Sequence, residues 1–212
     1  MKFLFSEIAL FQAVFLRSII TVPPVLLMVW VTKVTLRNLA KQDIRLIWLR
    51  VGAEICTTVA FLTALKYMPL ANVTAILQAL PLAVTMAAAL FLAEPIGWRR
   101  WSAILVGFVG VLIVVRPGLD GFNVYSLSAL AAIIFITVRE IATRKLAQEV
   151  PTITVVLSTA IGSAVFAGIM MVGAEWHAVS TSSWLLLIGA AFAVLIATLL
   201  SVMAMRTGEI GF

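Results

Sequence analysis

Charge is scarce in this chain of 212 residues: only 11% of them are Asp, Glu, Lys or Arg, whereas 63% are hydrophobic. A soluble domain usually carries about a quarter charged residues. A chain this apolar cannot hide its surface in one aqueous globule, so the composition excludes a soluble protein. We expect an all-α, polytopic transmembrane bundle, because a helix satisfies its own backbone hydrogen bonds in lipid.

Cysteine and histidine are scarcer still, with one residue of each. Cys56 lies inside an apolar run, so the chain can form neither a disulfide framework nor a cysteine-based zinc site. His177 cannot build a metal site alone. The sequence also lacks a Gly-rich phosphate loop followed by Lys and Ser or Thr, and it lacks a Gly-x-Ser-x-Gly elbow. We therefore expect no metal, no cofactor and no enzymatic activity.

The main feature of the sequence is a set of seven apolar runs. Most of them are long enough to cross a bilayer core of about 30 Å as a helix. Tryptophans lie at the edges of runs, as an interfacial aromatic belt predicts: Trp98, Trp101, Trp176 and Trp184. The runs cover residues 8–31, 46–65, 70–93, 101–115, 122–138, 150–173 and 184–204.

The net charge of +6 is compatible with nucleic-acid binding or with a membrane topology. The basic residues lie mainly between the apolar runs, most densely from Lys33 to Arg50, and alternate connections carry most of them. This asymmetry follows the positive-inside rule, so we set nucleic acid aside and place the Lys33–Arg50 segment in the cytoplasm. The chain is expected to be a multi-pass protein of the inner or plasma membrane, surrounded by lipid.

Four motifs in one stretch carry a resemblance to a known family. They are ALKYMPLANVTAI from Ala64, then Pro81, then LAEPIGWRRW from Leu92, and GFVGVLIVVRPG from Gly107. In this order and spacing they resemble the EamA-type repeat of the drug/metabolite transporter superfamily, with Ala93 in place of the usual glycine before Glu94. The resemblance implies a secondary transporter that moves a small metabolite, an amino-acid-like compound or a drug by alternating access.

The resemblance also implies a domain organisation. The family has ten helices in two inverted repeats of five, and on that pattern residues 1–118 form the first repeat without most of its first helix. Residues 119–212 form the first three helices of the second repeat. The chain would then be a fragment of the ten-helix fold. The alternative remains a truncated, non-transporting membrane protein that acts as a structural or regulatory partner.

Glu54 is the sharpest candidate for a functional group. An acidic residue at the centre of a spanning helix costs roughly 2.5–3.5 kcal/mol on insertion scales, so such residues face a wet cavity or a partner. Thr57 and Thr58 fall on the same helical face, which predicts a small polar patch at a substrate or proton site. The alternative is a structural pair with Arg50, one turn earlier.

A polar stripe marks the third apolar run. Thr74, Gln78, Pro81 and Thr85 fall within a narrow arc of a helix, and Pro81 frees a backbone carbonyl that a solute or water could meet. The pattern and the resemblance favour a cavity lining. The alternative is hydrogen bonding between helices, worth about 0.6 kcal/mol per contact.

Small residues recur at every fourth position in two runs, and two glycines lie a turn apart in another. This spacing predicts close helix packing, and the same faces would serve a homodimer. The candidates for packing are Gly52, Ala60, Gly107, Gly110, Gly189, Ala193 and Ala197.

The remaining charges near the ends of runs are expected to be structural. Arg17, Glu94, Arg99 and Arg100 are predicted to lie at the membrane interface. Arg139 and Glu140, adjacent in the chain, are predicted to form an ion pair.

Overall fold

Helices form nearly all of the described part of this computed structural model, which covers residues 8–33, 39–92, 97–115 and 124–207. The described part contains no strand, and the all-α expectation is confirmed. The helices are α1 (Leu10–Thr32), α2 (Lys41–Tyr67), α3 (Leu70–Leu77), α4 (Leu80–Phe91), α5 (Trp98–Val115), α6 (Val124–Arg144), α7 (Thr152–Met170) and α8 (Thr181–Thr207).

Six segments of the described chain are long and apolar enough to cross a membrane by length and composition. They are α1, α2, α6, α7, α8 and the combined stretch Leu70–Phe91 of α3 and α4. α5 adds a further apolar helix of 18 residues. This agrees with the seven apolar runs and confirms the polytopic bundle.

The third apolar run is two helices. α3 ends at Leu77, a turn occupies Gln78 and Ala79, and α4 begins at Leu80 with Pro81 in its first turn. Pro81 has no N–H with which to bond the carbonyl of Leu77, four residues earlier. The proline therefore sets the position of the break.

Two helices extend into segments that the sequence assigns to basic connections. α2 begins at Lys41 instead of Leu46, and α6 continues to Arg144 instead of Val138. Asp43 lies in the first turn of α2, where a negative charge favours a helix N-terminus. Its Oδ1 also accepts the backbone N–H of Ala147 at 3.1 Å. This tertiary contact is invisible to a reading of hydropathy alone.

The chain divides into two compact units, which are interleaved in sequence. Unit 1 combines Met1–Ile55 with Ala142–Gly208, and unit 2 is formed by Cys56–Ile141. The predicted repeat boundary at Gly118 lies outside the described residues. The assignment of repeats to 1–118 and 119–212 stays a prediction.

Unit 1 is built on α1, which packs against α7 and α8. Branched aliphatic side chains form much of its apolar core, among them Val25, Val51 and Val155. At one end, Arg206 at the close of α8 donates to the carbonyls of Ala147, at 3.0 Å, and Gln148, at 2.6 Å.

Further contacts gather the basic residues at this end of unit 1. The side chain of Arg144 reaches the carbonyl of Met205, and Asp43 bonds Ala147. The starts of α2 and α7 and the end of α8 therefore lie together. The arrangement agrees with the positive-inside topology, which places Lys41, Arg144 and Arg206 on one side.

Unit 2 has a different interior, in which alanine is the most frequent buried residue among those described. Ala64, Ala79, Ala83 and Ala129 are buried in one cluster that joins α2, α3, α4 and α6. At the far end of α2, the rings of Tyr67 and Tyr125 stack with centroids 4.3 Å apart. Small side chains let the helix backbones of this unit approach closely.

Candidate functional site

A small polar cavity lies inside unit 1, and Glu54 is one of its walls. The cavity has a volume of about 30 Å³, which is room for one or two water molecules. Four helices contribute to it, so it is assembled only in the tertiary structure. Its polar lining consists of Arg17, Ser18 and Thr21 from α1, Glu54 from α2, Thr159 and Ser163 from α7, and Thr198 from α8.

Arg17 and Glu54 are the two charged groups among the described residues that line the cavity. Their opposite charges interact electrostatically. The expectation that Arg17 is an interfacial residue is therefore wrong, because its side chain lines the interior cavity with Glu54. A charge in a spanning segment needs such a partner, since its desolvation in lipid is otherwise costly.

A second arginine lies close to the same cavity. Arg50 is 1% exposed, and its guanidinium donates from Nε to Thr143 Oγ1 at 2.8 Å and from Nη1 to Thr159 Oγ1 at 2.7 Å. Thr159 also lines the cavity. One hydroxyl thus connects the buried Arg50 to the walls around Glu54. The suggested pair of Glu54 with Arg50 stays a prediction.

The predicted cavity-lining stripe belongs to unit 2 and is largely accessible. Thr74, Gln78 and Pro81 are exposed, and Thr85 is half-buried. The Thr74 hydroxyl donates to its own helix, to the carbonyl of Ala71 at 2.9 Å, and Thr85 donates likewise to Pro81 at 2.7 Å. Their helical arc is thus accessible, and their role in lining a path stays a prediction.

The other residues predicted around Glu54 are divided by the unit boundary. Thr57 is buried and Thr58 half-buried, and both belong to unit 2, one turn beyond Glu54 on the same helix. Whether they share a site with Glu54 stays a prediction.

The residues predicted for helix packing have varied surroundings. A Cβ added at Gly107 would overlap the end of the Leu82 side chain, so α4 and α5 approach closely there. Within the described residues, a Cβ at Gly52, Gly110 or Gly189 would meet nothing within 4 Å. Ala193 and Ala197 are exposed, and Ala60 is half-buried.

The predicted ion pair of Arg139 with Glu140 is confirmed, with Arg139 Nε 3.0 Å from Glu140 Oε1. Arg99 is exposed at the start of α5, where its guanidinium lies over the ring of Trp98. Glu94 lies outside the described residues.

Sequence reasoning missed Gln12, which is fully buried in the first turn of α1. Its side-chain amide donates to the carbonyl of His177 at 2.6 Å, and its oxygen accepts the backbone N–H of His177 at 3.2 Å. Gln12 therefore fixes the connection between α7 and α8 against α1. An isolated amide within the first apolar run was the available signal, because such a group needs a partner in lipid.

Metal ligation has no candidate in the part of the chain that the structure describes, since no three His, Cys, Asp or Glu side chains come together there. The expectation that the protein needs no metal stays a prediction. What the cavity offers chemically is one carboxylate, one guanidinium and several hydroxyls, which suit hydrogen bonding to a polar solute or transfer of a proton.

Comparison with known proteins identifies the family to which these helices belong. The EamA-like transporter family matches residues 1–116, more than half of the chain. The chain belongs to the EamA-like transporter family. This family lies within the drug/metabolite transporter superfamily and consists of permeases rather than enzymes. The EamA-like chain is accordingly a multi-pass protein of the cell membrane.

Two relatives show the range of named substrates among similar proteins. A riboflavin transporter of Vibrio cholerae is 32% identical over 144 residues, which are 67% of this chain and 48% of that protein. An S-adenosylmethionine uptake transporter of Rickettsia bellii is 33% identical over 101 residues, or 48% of this chain and 35% of that protein. The EamA-like chain thus spans half or less of the length of these relatives.

A solved crystal structure shares the fold. It superposes on 96% of this chain, and on 73% of its own, with a TM-score of 0.74 at 21% sequence identity. The likeness concerns the arrangement of helices alone. It agrees with the transporter fold that the resemblance implies.

Proposed function

We propose that this chain works as a secondary transporter that moves a small metabolite across the cell membrane by alternating access. Family membership supports the class of activity. The observation that carries the proposal is the convergence of Arg17, Glu54 and Thr159 from three different helices on one polar cavity within apolar spans. Polar groups are retained at such depth mainly along solute or ion pathways.

The size of the cavity limits what it can hold in this conformation. A volume of about 30 Å³ admits water but no metabolite. We therefore propose that the described conformation of unit 1 is not the one that holds a solute. Entry of a solute requires the helices to separate, as in the rocking of transporter halves around a central site.

Glu54 is the residue to which we assign binding or coupling. It is 8% exposed, shares its cavity with Arg17, and is the only carboxylate among the described residues that line it. A carboxylate that alternates between Arg17 and a proton or a substrate cation would link solute movement to an ion gradient. Thr58, Thr74, Gln78, Pro81 and Thr85 are proposed to line the solute path.

Riboflavin and S-adenosylmethionine are the first substrates to test, because relatives are named for them. The protein is purified, reconstituted into liposomes and given each radiolabelled compound, together with a panel of amino acids and cationic drugs. We expect accumulation of one class above that of protein-free liposomes. If the folded chain carries none of them in either direction, transport is wrong and the alternative of a structural or regulatory membrane partner stands.

The proposed lining of unit 2 has its own test. Gln78→Leu removes an exposed amide that, within the described residues, supports the fold only through its backbone N–H. We expect a raised KM for the transported solute with an unchanged folded yield. Asn72→Leu, an exposed amide on the preceding helix and off the polar arc, is the control, and an equal effect of both would remove Gln78 from the path.

Homodimer formation is a further proposal, and it concerns α8. Gly189, Ala193 and Ala197 are exposed along one side of this helix, and small residues at this spacing allow two helices to approach closely. Gly189→Leu should lower the dimer fraction in detergent, as measured by light scattering. An unchanged mass, or a wild-type protein that is monomeric, would contradict this association.

A further inference from the structure

An apolar groove runs along the outside of unit 1, between α2 and α7. Its volume is about 510 Å³. Ile47 and Val51 form a buried floor, while Trp48, Ile161 and Val165 form exposed walls. Among the described residues of the lining, Ser158 has the one hydroxyl, which donates to the Thr154 carbonyl of its own helix at 2.8 Å. The groove therefore presents hydrocarbon to whatever occupies it.

The groove begins near the start of α2 and runs along both helices. Its lining extends along α2 from Ile44 to Ile55 and along α7 from Ser158 to Ile169. Because the starts of the two helices lie together, these stretches of about 16 Å each are offset, and the groove is longer than either. Half of the hydrocarbon core is about 15 Å, so the part of the groove nearest the start of α2 has room for a single lipid chain that enters from that interface.

Positive charge lies at one end of the groove. Lys41 and Arg45 are exposed, and Lys41 stands one turn before Ile44 and two turns before Trp48, on the same helical face. Asp43, an acidic residue in the first turn of the same helix, is buried and accepts the Ala147 N–H. Trp48 is 68% exposed, as expected of an aromatic side chain at the membrane interface. This end is suited to a phosphate at headgroup level.

We propose that the groove is a binding site for an anionic phospholipid, with one acyl chain between α2 and α7 and its phosphate at Lys41 and Arg45. A further transmembrane helix is the poorer match, because its apolar side chains would fill the groove without placing an anionic group at Lys41 and Arg45. The proposal concerns the lipid around the protein and does not depend on transport.

The test measures which lipid the purified chain retains. The protein is equilibrated with phosphatidylglycerol or phosphatidylcholine of identical acyl chains, and bound lipid is counted by native mass spectrometry. Each cation near a surface favours an anionic lipid by about fivefold, so wild type should retain phosphatidylglycerol at least fivefold better. Lys41→Gln with Arg45→Gln should reduce that preference to near one. Arg99→Gln with Arg100→Gln, a basic pair at the start of α5, should leave it unchanged.

A second variant tests the acyl part of the site. Val165→Trp fills the groove from an exposed wall and should lower the retention of both lipids, with the helical circular dichroism unchanged. Retention that is equal for the two lipids, or that survives the loss of Lys41 and Arg45, would overturn the proposal. So would efficient disulfide cross-linking of two copies through Ile161→Cys in a Cys56→Ala background, because the groove would then be an interface between chains.

Discussion

The helices of the two units are held together in lipid by different kinds of side chain. Among the described residues, unit 1 buries eleven polar or charged side chains, whereas unit 2 buries three and has alanine as its most frequent buried residue. Hydrophobic burial gives helices little reason to associate when the solvent is itself hydrocarbon, which leaves close packing and polar contacts. The buried polar residues of unit 1 are Gln12, Ser18, Thr21, Asp43, Arg50, Glu54, Thr143, Thr154, Thr159, Ser163 and Ser183, against Thr57, Ser126 and Glu140 in unit 2.

This contrast distinguishes unit 2, whose buried residues hold helices together, from unit 1, which contains the candidate site. Close contact of small residues, as at Ala83 or Ala129, holds helices together but offers no group that could bind a solute or a proton. The Arg17–Glu54 cavity of unit 1 offers both. We therefore expect substitutions in unit 1 to affect stability and function through lost polar contacts, and substitutions in unit 2 to act through steric fit.

The largest expected effect is that of Arg50→Ala. It removes two hydrogen bonds from a charged donor, to Thr143 and Thr159, each worth about 1.5–3 kcal/mol. The free energy of unfolding in detergent should fall by roughly 3–5 kcal/mol. Lys145→Ala, at an exposed position of the same unit, should change it by less than about 0.5 kcal/mol. Similar stability of the two variants would mean that the polar interior does not hold unit 1 together.

Two threonines of α7 provide a matched pair with a smaller effect. Thr159 accepts the Arg50 bond, whereas the buried Thr154 hydroxyl has no hydrogen-bond partner in the described part of the chain. Thr159→Val should lower the unfolding free energy by about 2 kcal/mol. Thr154→Val should leave it unchanged or raise it by about 1 kcal/mol, since it removes an unsatisfied buried group. Thermal unfolding followed by circular dichroism measures both, and an equal loss would contradict this account of the hydroxyls.

The smallest expected effect concerns glycine substitutions in unit 2. In a helix interior, Gly→Ala is favourable by about 1 kcal/mol, and a Cβ at Gly110 would meet nothing within 4 Å among the described residues. Gly110→Ala should therefore stabilise the protein. Gly107→Ala should gain less, because its Cβ would overlap Leu82 and force that side chain into another rotamer. The opposite order of the two unfolding temperatures would show that close packing at Gly107 is unimportant.

The sequence predicted the helices far better than the cavity. Apolar runs locate the spanning segments of the described chain, but the break between α3 and α4 at Pro81 was not predicted. The charges of Lys41 and Arg45, however, suggested a connection where α2 has already begun. Hydropathy measures how polar a residue is, but it does not show that the Asp43 carboxylate accepts a hydrogen bond from the backbone N–H of Ala147.

Only part of the cavity lining could be predicted, because hydropathy does not show contacts between helices. Glu54 stands out because an isolated acid in an apolar run is costly. Arg17 was assigned to the membrane interface. Its distance from Glu54 depends on how α1 and α2 pack, which the sequence does not show. Thr143 and Thr159 gave no signal at all, since threonine in a spanning helix can bond its own backbone, as Thr159 also does to Val155 at 2.8 Å.

The most direct test of the central claim is the effect of Glu54→Gln on solute uptake into liposomes, measured at several external pH values. The account predicts an initial rate at least about tenfold lower, equivalent to 1.4 kcal/mol, and the loss of any pH dependence, with Glu175→Gln in the exposed α7–α8 connection behaving as wild type. If Glu54→Gln transports at the wild-type rate with the wild-type pH profile, the Arg17–Glu54 cavity is a structural feature only and the transport site lies elsewhere.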